Sequence, residues 1–136
     1  LGLEEFAFRK FDKLSGGERQ RVIVAKAVAQ DPSLFLFDEP TSDLDLRNQI
    51  EVMKRIVEIV SDKKSEKSAI VSIHDINIAA RFSERIILLH EGEVKADGSP
   101  SDVLNEDNIA EVFGVTCEIV DQTDDSPMRV LIKDEV

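Results

Sequence analysis

Neither tyrosine nor tryptophan occurs among the 136 residues, and phenylalanine supplies the whole aromatic content. The chain therefore offers no obvious ring for stacking on a nucleobase. A single cysteine, Cys117, excludes an internal disulfide and fits a reducing compartment, so the cytoplasm is the expected location. No run comes near the roughly 18 consecutive apolar residues of a membrane span, and no signal-peptide pattern opens the chain. Contact with a membrane is expected only through a partner. Bases are scarce toward the end: residues 91–136 hold 13 acids against Lys95, Arg129 and Lys133, which places −10 of the net charge of −11 there. Such an acidic surface opposes direct binding of nucleic acid or anionic lipid, because both need a basic footprint to displace counterions. Glycine followed by lysine is also missing at all six glycines, so the phosphate-cradling loop Gly-x-x-x-x-Gly-Lys-[Ser/Thr] is not encoded in these residues.

What is present suits a compact fold, since 42% of residues are apolar and the length matches one domain. Val22 to Ala29 is largely apolar, starts after Ser15 with Glu18 three residues on, and stops at Gln30-Asp31-Pro32. This predicts a helix from about Gly17 to Ala29. Leu34 to Phe37 is an unalternated apolar run, expected of a strand buried on both faces, and it ends in the carboxylates Asp38 and Glu39. Asp45 is placed to cap an amphipathic helix carrying Leu46, Ile50, Met53, Val57 and Val60 at steps of four and three. Asp62 to Lys67 reads as a surface loop. Another buried strand is then expected over Ala69 to Ile73, ending at His74, with a third strand over Arg85 to Leu89, a short helix over Ile76 to Phe82, and a hairpin partner over Glu93 to Asp97. Alternating strands and helices predict an α/β fold with a parallel sheet. Short helices to Phe113 and a hairpin of Val115 to Val120 with Met128 to Ile132 complete the reading.

Two stretches carry chemistry. Ser15-Gly16-Gly17-Glu18 satisfies the Ser-x-x-Glu capping box, which needs no ligand; it equally exposes backbone N–H groups at a helix start, where a phosphate binds. Asp38 and Glu39 stand at a strand mouth, the end where open parallel sheets bind ligands. One carboxylate suffices to hold a Mg²⁺ ion through its hydration shell, which suits Asp38. The adjacent Glu39, ionised at neutral pH, is the candidate general base toward water. His90 is expected in the Glu91-Gly92 turn, and Cys117 as a small strand residue.

Leu14-Ser15-Gly16-Gly17-Glu18-Arg19-Gln20 resembles the signature motif of ATP-binding cassette (ABC) ATPases, and Leu34 to Glu39 resembles their Walker B motif with its catalytic glutamate. Thr41-Ser42-Asp43-Leu44-Asp45 looks like the family's D-loop, and His74, after Ser72-Ile73 and before Asp75, like its switch histidine. The resemblance runs from about Leu3 to Asp102, with all four motifs in family order. It implies a P-loop NTPase-type parallel sheet with flanking helices, lacking the Walker A strand and loop. ATP and Mg²⁺ are the implied cofactors: Glu39 and His74 would be catalytic, Asp38 would hold the metal, and Ser15, Gly16, Gly17, Glu18 and Asp45 would contact nucleotide. A second nucleotide-binding domain and transmembrane permease subunits are the implied partners.

The chain therefore reads as the second part of a nucleotide-binding domain. The signature and its helix occupy residues 1–30, the Walker B, D-loop and switch-histidine core 31–98, and an acidic extension 99–136. Asp-Glu-Pro followed by Thr41-Ser42-x-Leu44-Asp45 is similar to transporter ATPases. Gly98 to Leu104 with Ile109 to Val115 looks like the end of importer ATPases for iron chelates, haem and cobalamin. A soluble ABC ATPase of nucleic-acid or ribosome biology and a catalytically silent interaction domain are the alternatives; basic arms or a second cassette would mark the first, loss of Glu39 and His74 the second.

Overall fold

A computed structural model describes residues 3–42, 44–61, 66–124 and 126–136. Two compact units result, Leu1–Ile73 and His74–Val136.

In the first unit, two short 3-10 turns at Glu4–Phe6 and Phe11–Lys13 lead into helix α1 (Gly16–Ala29). Ser15 caps α1, and the turn at Gln30-Asp31-Pro32 ends it, as the sequence predicts. Strand β1 (Leu34–Asp38), helix α2 (Leu46–Val60) and strand β2 (Ser68–Ser72) follow. β1 and β2 are parallel, with Leu34 opposite Ser68 and Asp38 opposite Ser72. Helix α2 packs on α1 and on β2, and the core is built from Phe6, Leu14, Val24, Phe35, Phe37, Val52, Met53 and Ile56.

Two expectations are corrected here. β1 is not buried on both faces: Phe35 and Phe37 are buried and stacked at 5.8 Å, whereas Leu34 and Leu36 are 47% and 71% exposed. Ile70 of β2, opposite Leu36, is 60% exposed on the same side. An apolar run is buried twice only where both sheet faces are covered, and among the described residues one face of this pair is. The stripe on α2 is also turned from the one expected. Val52, Met53 and Ile56 are buried while Leu46 is 78% exposed, because apolar side chains cover a broad arc of the helix and contact with α1 and β2 selects its side. Within the predicted 62–67 loop, residues 62–65 lie outside the described residues.

The second unit holds helix α3 (Ile76–Phe82), the antiparallel pair β3 (Ile86–His90) and β4 (Glu93–Gly98), helices α4 (Pro100–Val103) and α5 (Glu106–Phe113), and the hairpin β5 (Val115–Val120) and β6 (Arg129–Glu135). Glu91 and Gly92, with φ of 48° and 84°, form the tight β3–β4 turn that left-handed backbone permits. Ile109 at the centre of this core is fully buried, among Ile86, Leu88, Val103, Leu104, Cys117, Met128 and Val130. The Asn77 side chain donates to the Val130 carbonyl at 3.1 Å and accepts from its N–H at 2.8 Å, which ties α3 to β6. No described helix is long and apolar enough to cross a membrane.

Candidate functional site

The first unit gathers seven of the eight predicted site residues. At the start of α1 the capping box forms: Ser15 N–H donates to Glu18 Oε2 at 2.7 Å, and Glu18 N–H donates to Ser15 Oγ at 3.4 Å. The backbone hydrogen bond from Ser15, then its hydroxyl, with Arg9 and Arg21 nearby, hold the Glu18 carboxyl below the usual carboxylate range. Gly16 is the exposed first residue of α1, and Gly17 is buried one step further in. A Cβ on Gly17 would meet Asn48 Cγ at 2.8 Å, so only glycine leaves the Asn48 side chain its place.

Asn48 joins the start of α1 to the start of α2. The Asp45 side chain caps α2 by accepting from Asn48 N–H at 2.8 Å, and its second oxygen accepts from Asn48 Nδ2 at 3.0 Å. Asp45, Asn48 and Gly17 are thus one packed chain of contacts, although 28 positions separate Asp45 from Gly17 in the sequence. Asn48 does not stand out in the sequence, as polar residues in the first turn of a helix are common. Asp43, predicted within the D-loop, lies outside the described residues.

Asp38 ends β1 with an exposed side chain, and Glu39 follows half-buried. Parallel register brings Ser72 beside them. Its hydroxyl donates to Asp38 Oδ1 at 2.6 Å, and its oxygen accepts from Glu39 N–H at 2.8 Å. Glu39 has a φ of 44°, left-handed backbone that costs a non-glycine residue about 1–3 kcal/mol. Its carbonyl accepts from Ser42 N–H at 3.1 Å and from Ser42 Oγ at 2.9 Å, and buried Pro40 and Thr41 close the turn. Sequence reasoning missed Ser72, whose only signal is its place two residues before His74.

The donor set fits Mg²⁺ better than a metal that needs an all-protein cage. No group of three or more His, Cys, Asp or Glu converges on one point among the described residues, and magnesium keeps waters and takes one or two carboxylates plus phosphate oxygens. Asp38, exposed at the end of β1, would be the residue to hold it.

His74 is exposed and opens the second unit, beside Asp75, whose carboxylate caps α3 by accepting from Asn77 N–H and Ile78 N–H. His90 ends β3 and borders a polar hollow of about 430 Å³ lined also by Glu91, Glu93, Lys95 and Glu111, where Lys95 pairs with Glu111. Cys117 is buried in β5, and burial pushes its thiol up.

The profile of the family described as ABC transporter matches residues 1–42, the segment that holds both the signature and the Asp38-Glu39 strand end. Over these residues the chain is similar to the ABC transporter ATPases. It is 46% identical over 114 residues to the phosphonates import ATP-binding protein PhnC of Wolinella succinogenes, covering 84% of the chain and 40% of that protein. It is 41% identical over 119 residues to the iron(3+)-hydroxamate import ATP-binding protein FhuC of Bacillus subtilis, covering 88% and 44%. The chain thus spans less than half the length of these curated relatives. Among solved structures, it is similar to an inward-facing transporter assigned to the metal-chelate ABC type, with a TM-score of 0.81 at 27% identity, covering 99% of this chain and 53% of that one. A bacterial ABC transporter cassette solved as a dimer is 40% identical, with a TM-score of 0.62 over 71% of this chain and 40% of that one.

Proposed function

We propose that this chain is part of the nucleotide-binding domain of an ABC importer, in which it supplies the metal carboxylate, the general base and the signature for ATP hydrolysis. The observation that carries this reading is the strand end where Ser72 ties Asp38 to Glu39, two carboxylic residues fixed side by side with different backbone directions. Magnesium, when bound there, neutralises charge on the transferred phosphate. Asp38 holds the ion through its hydration shell, and Glu39 orients and deprotonates the attacking water. Ser15, Gly16, Gly17 and Glu18 offer the helix N-terminus to the phosphates of a nucleotide held by a second cassette, with Asp45 beside them. By its resemblance to the switch histidine, His74 would help to place the water.

In this reading residues 1–30 form the signature segment, 31–98 the hydrolytic core and 99–136 an acidic extension. The working protein is a dimer of cassettes at the inner face of the cell membrane, attached through permease subunits. The dimeric cassette and the importer relatives support both partners. An iron chelate, haem or cobalamin is the proposed cargo, supported by the metal-chelate transporter that matches almost the whole chain and by the hydroxamate importer. Phosphonate is the second reading, because the phosphonate importer's ATPase is the more identical relative.

The test is ATP-driven uptake in vesicles carrying the intact transporter, comparing a ferric hydroxamate, cobalamin and a phosphonate. Chelate uptake abolished by Asp38→Asn is expected. Uptake of phosphonate alone would replace the cargo, and an ATPase that responds to nucleic acid and to no permease would replace the transport reading.

A further inference from the structure

We propose that Ser72 is a positioning residue for ATP hydrolysis, setting the metal carboxylate and the general base relative to one another through a single hydroxyl. This rests on the assignment of Asp38 and Glu39 given above. The parallel register puts Ser72 opposite Asp38, at the last rung of the β1–β2 ladder. There the hydroxyl is used in both senses, donating to Asp38 Oδ1 at 2.6 Å and accepting from Glu39 N–H at 2.8 Å.

Each bond has a chemical consequence. Because Oδ1 is engaged with Ser72, the carboxylate is restrained in rotation and Oδ2 would be the oxygen to face a hydrated cation. The donor is neutral, so it brings no positive charge to compete with a cation, as a lysine in the same place would. At Glu39 the backbone lies at a φ of 44°, a conformation that needs holding. Ser72 holds its N–H, and Ser42 holds its carbonyl through N–H and Oγ at 3.1 and 2.9 Å. With the backbone anchored on both sides, the direction in which the Glu39 side chain leaves the strand is set. A base displaced by even a fraction of a bond length from its water loses much of its effect.

Ser72 touches neither water nor phosphate in this account, so its removal should disturb orientation and leave nucleotide affinity in place. The experiment uses the intact ATPase containing this chain, with Ser72→Ala, Ser72→Thr and Glu39→Gln compared for turnover at varied ATP and varied Mg²⁺. Losses on removing residues that orient metal ligands run to about 10–100-fold. Ser72→Ala is expected to lower kcat by about tenfold and raise the Mg²⁺ needed for half-maximal rate several-fold, with KM for ATP within about twofold. Ser72→Thr, which keeps the hydroxyl, is expected to restore both. Parental kcat and Mg²⁺ requirement in Ser72→Ala, with Glu39→Gln inactive, would overturn the proposal. So would a loss in Ser72→Ala that Ser72→Thr does not restore, since that is the mark of packing. Parental turnover in Glu39→Gln would overturn the assignment of the base itself, and with it the role of Ser72.

Discussion

Gly17 is held by what a side chain would displace. With a Cβ 2.8 Å from Asn48 Cγ, Gly17→Ala forces Asn48 to swing away and give up its bond to Asp45. We expect a loss of about 0.5–1.5 kcal/mol, the net worth of one hydrogen bond, in urea unfolding of the chain. Asn48→Ala should remove the penalty, so the double variant should be no less stable than Asn48→Ala; additive losses would show that Asn48 is not the obstacle. The same contact limits the use of larger residues at Gly17 as probes of cassette dimerisation, since they also disturb α1 against α2. Glu18 gives a second expectation. Its folded pKa is depressed, chiefly by the Ser15 N–H, so its stabilising effect is fully present above the ordinary carboxylate pKa of about 4 and is lost as pH falls through the folded value. Glu18→Gln should flatten the acid limb of the stability–pH curve and leave its slope above about pH 6 unchanged. An unchanged acid limb would mean the capping box carries no proton linkage.

Elements were legible from the sequence where local chemistry decides them. Ser15 and Glu18 mark the start of α1, Asp45 caps α2, and Glu91-Gly92 fixes the β3–β4 turn. Burial was not legible to the same degree, because it depends on what lies across from each face. Leu34 and Leu36 have the composition of an interior strand and yet stand exposed, and the buried side of α2 follows α1 and β2 rather than the most regular spacing. The site divides in the same way: Asp38, Glu39 and Asp45 are conspicuous by residue type and motif, whereas Ser72 and Asn48 gain meaning only through register and packing. The apolar patch of Leu34, Leu36 and Ile70 also has a consequence for the isolated chain. Covering one such side chain is worth about 1.5–3 kcal/mol, so self-association is expected at high concentration. Leu36→Gln with Ile70→Gln should reduce it in sedimentation while stability stays within about 0.5 kcal/mol, as for exposed sites generally. Association unaffected by both changes would place the contact elsewhere.

At the scale of the molecule, the proposed metal carboxylate, general base and signature lie among residues that do not encode the loop that holds phosphates. Phosphoryl transfer depends on positioning and charge neutralisation, and neither phosphate-loop amides nor their lysine occur in these 136 residues. Asp38 and Glu39 by themselves repel a nucleotide. Calorimetry on the 136-residue chain should therefore show no saturable micromolar binding of MgATP; tight binding would mean the loop is dispensable. The acidic stretch from residue 91 holds 13 acids against three bases and lacks the basic footprint that nucleic acid and anionic lipid require. The central claim is that Glu39 is the base and Asp38 the metal carboxylate, and the nucleotide retained by the intact Glu39→Gln protein tests it most directly. After incubation with ATP and Mg²⁺ and rapid removal of free ligand, the bound fraction should be ATP, with turnover lower by about 10²–10⁴-fold, the usual worth of a general base. Bound ADP formed at the parental rate would contradict the account.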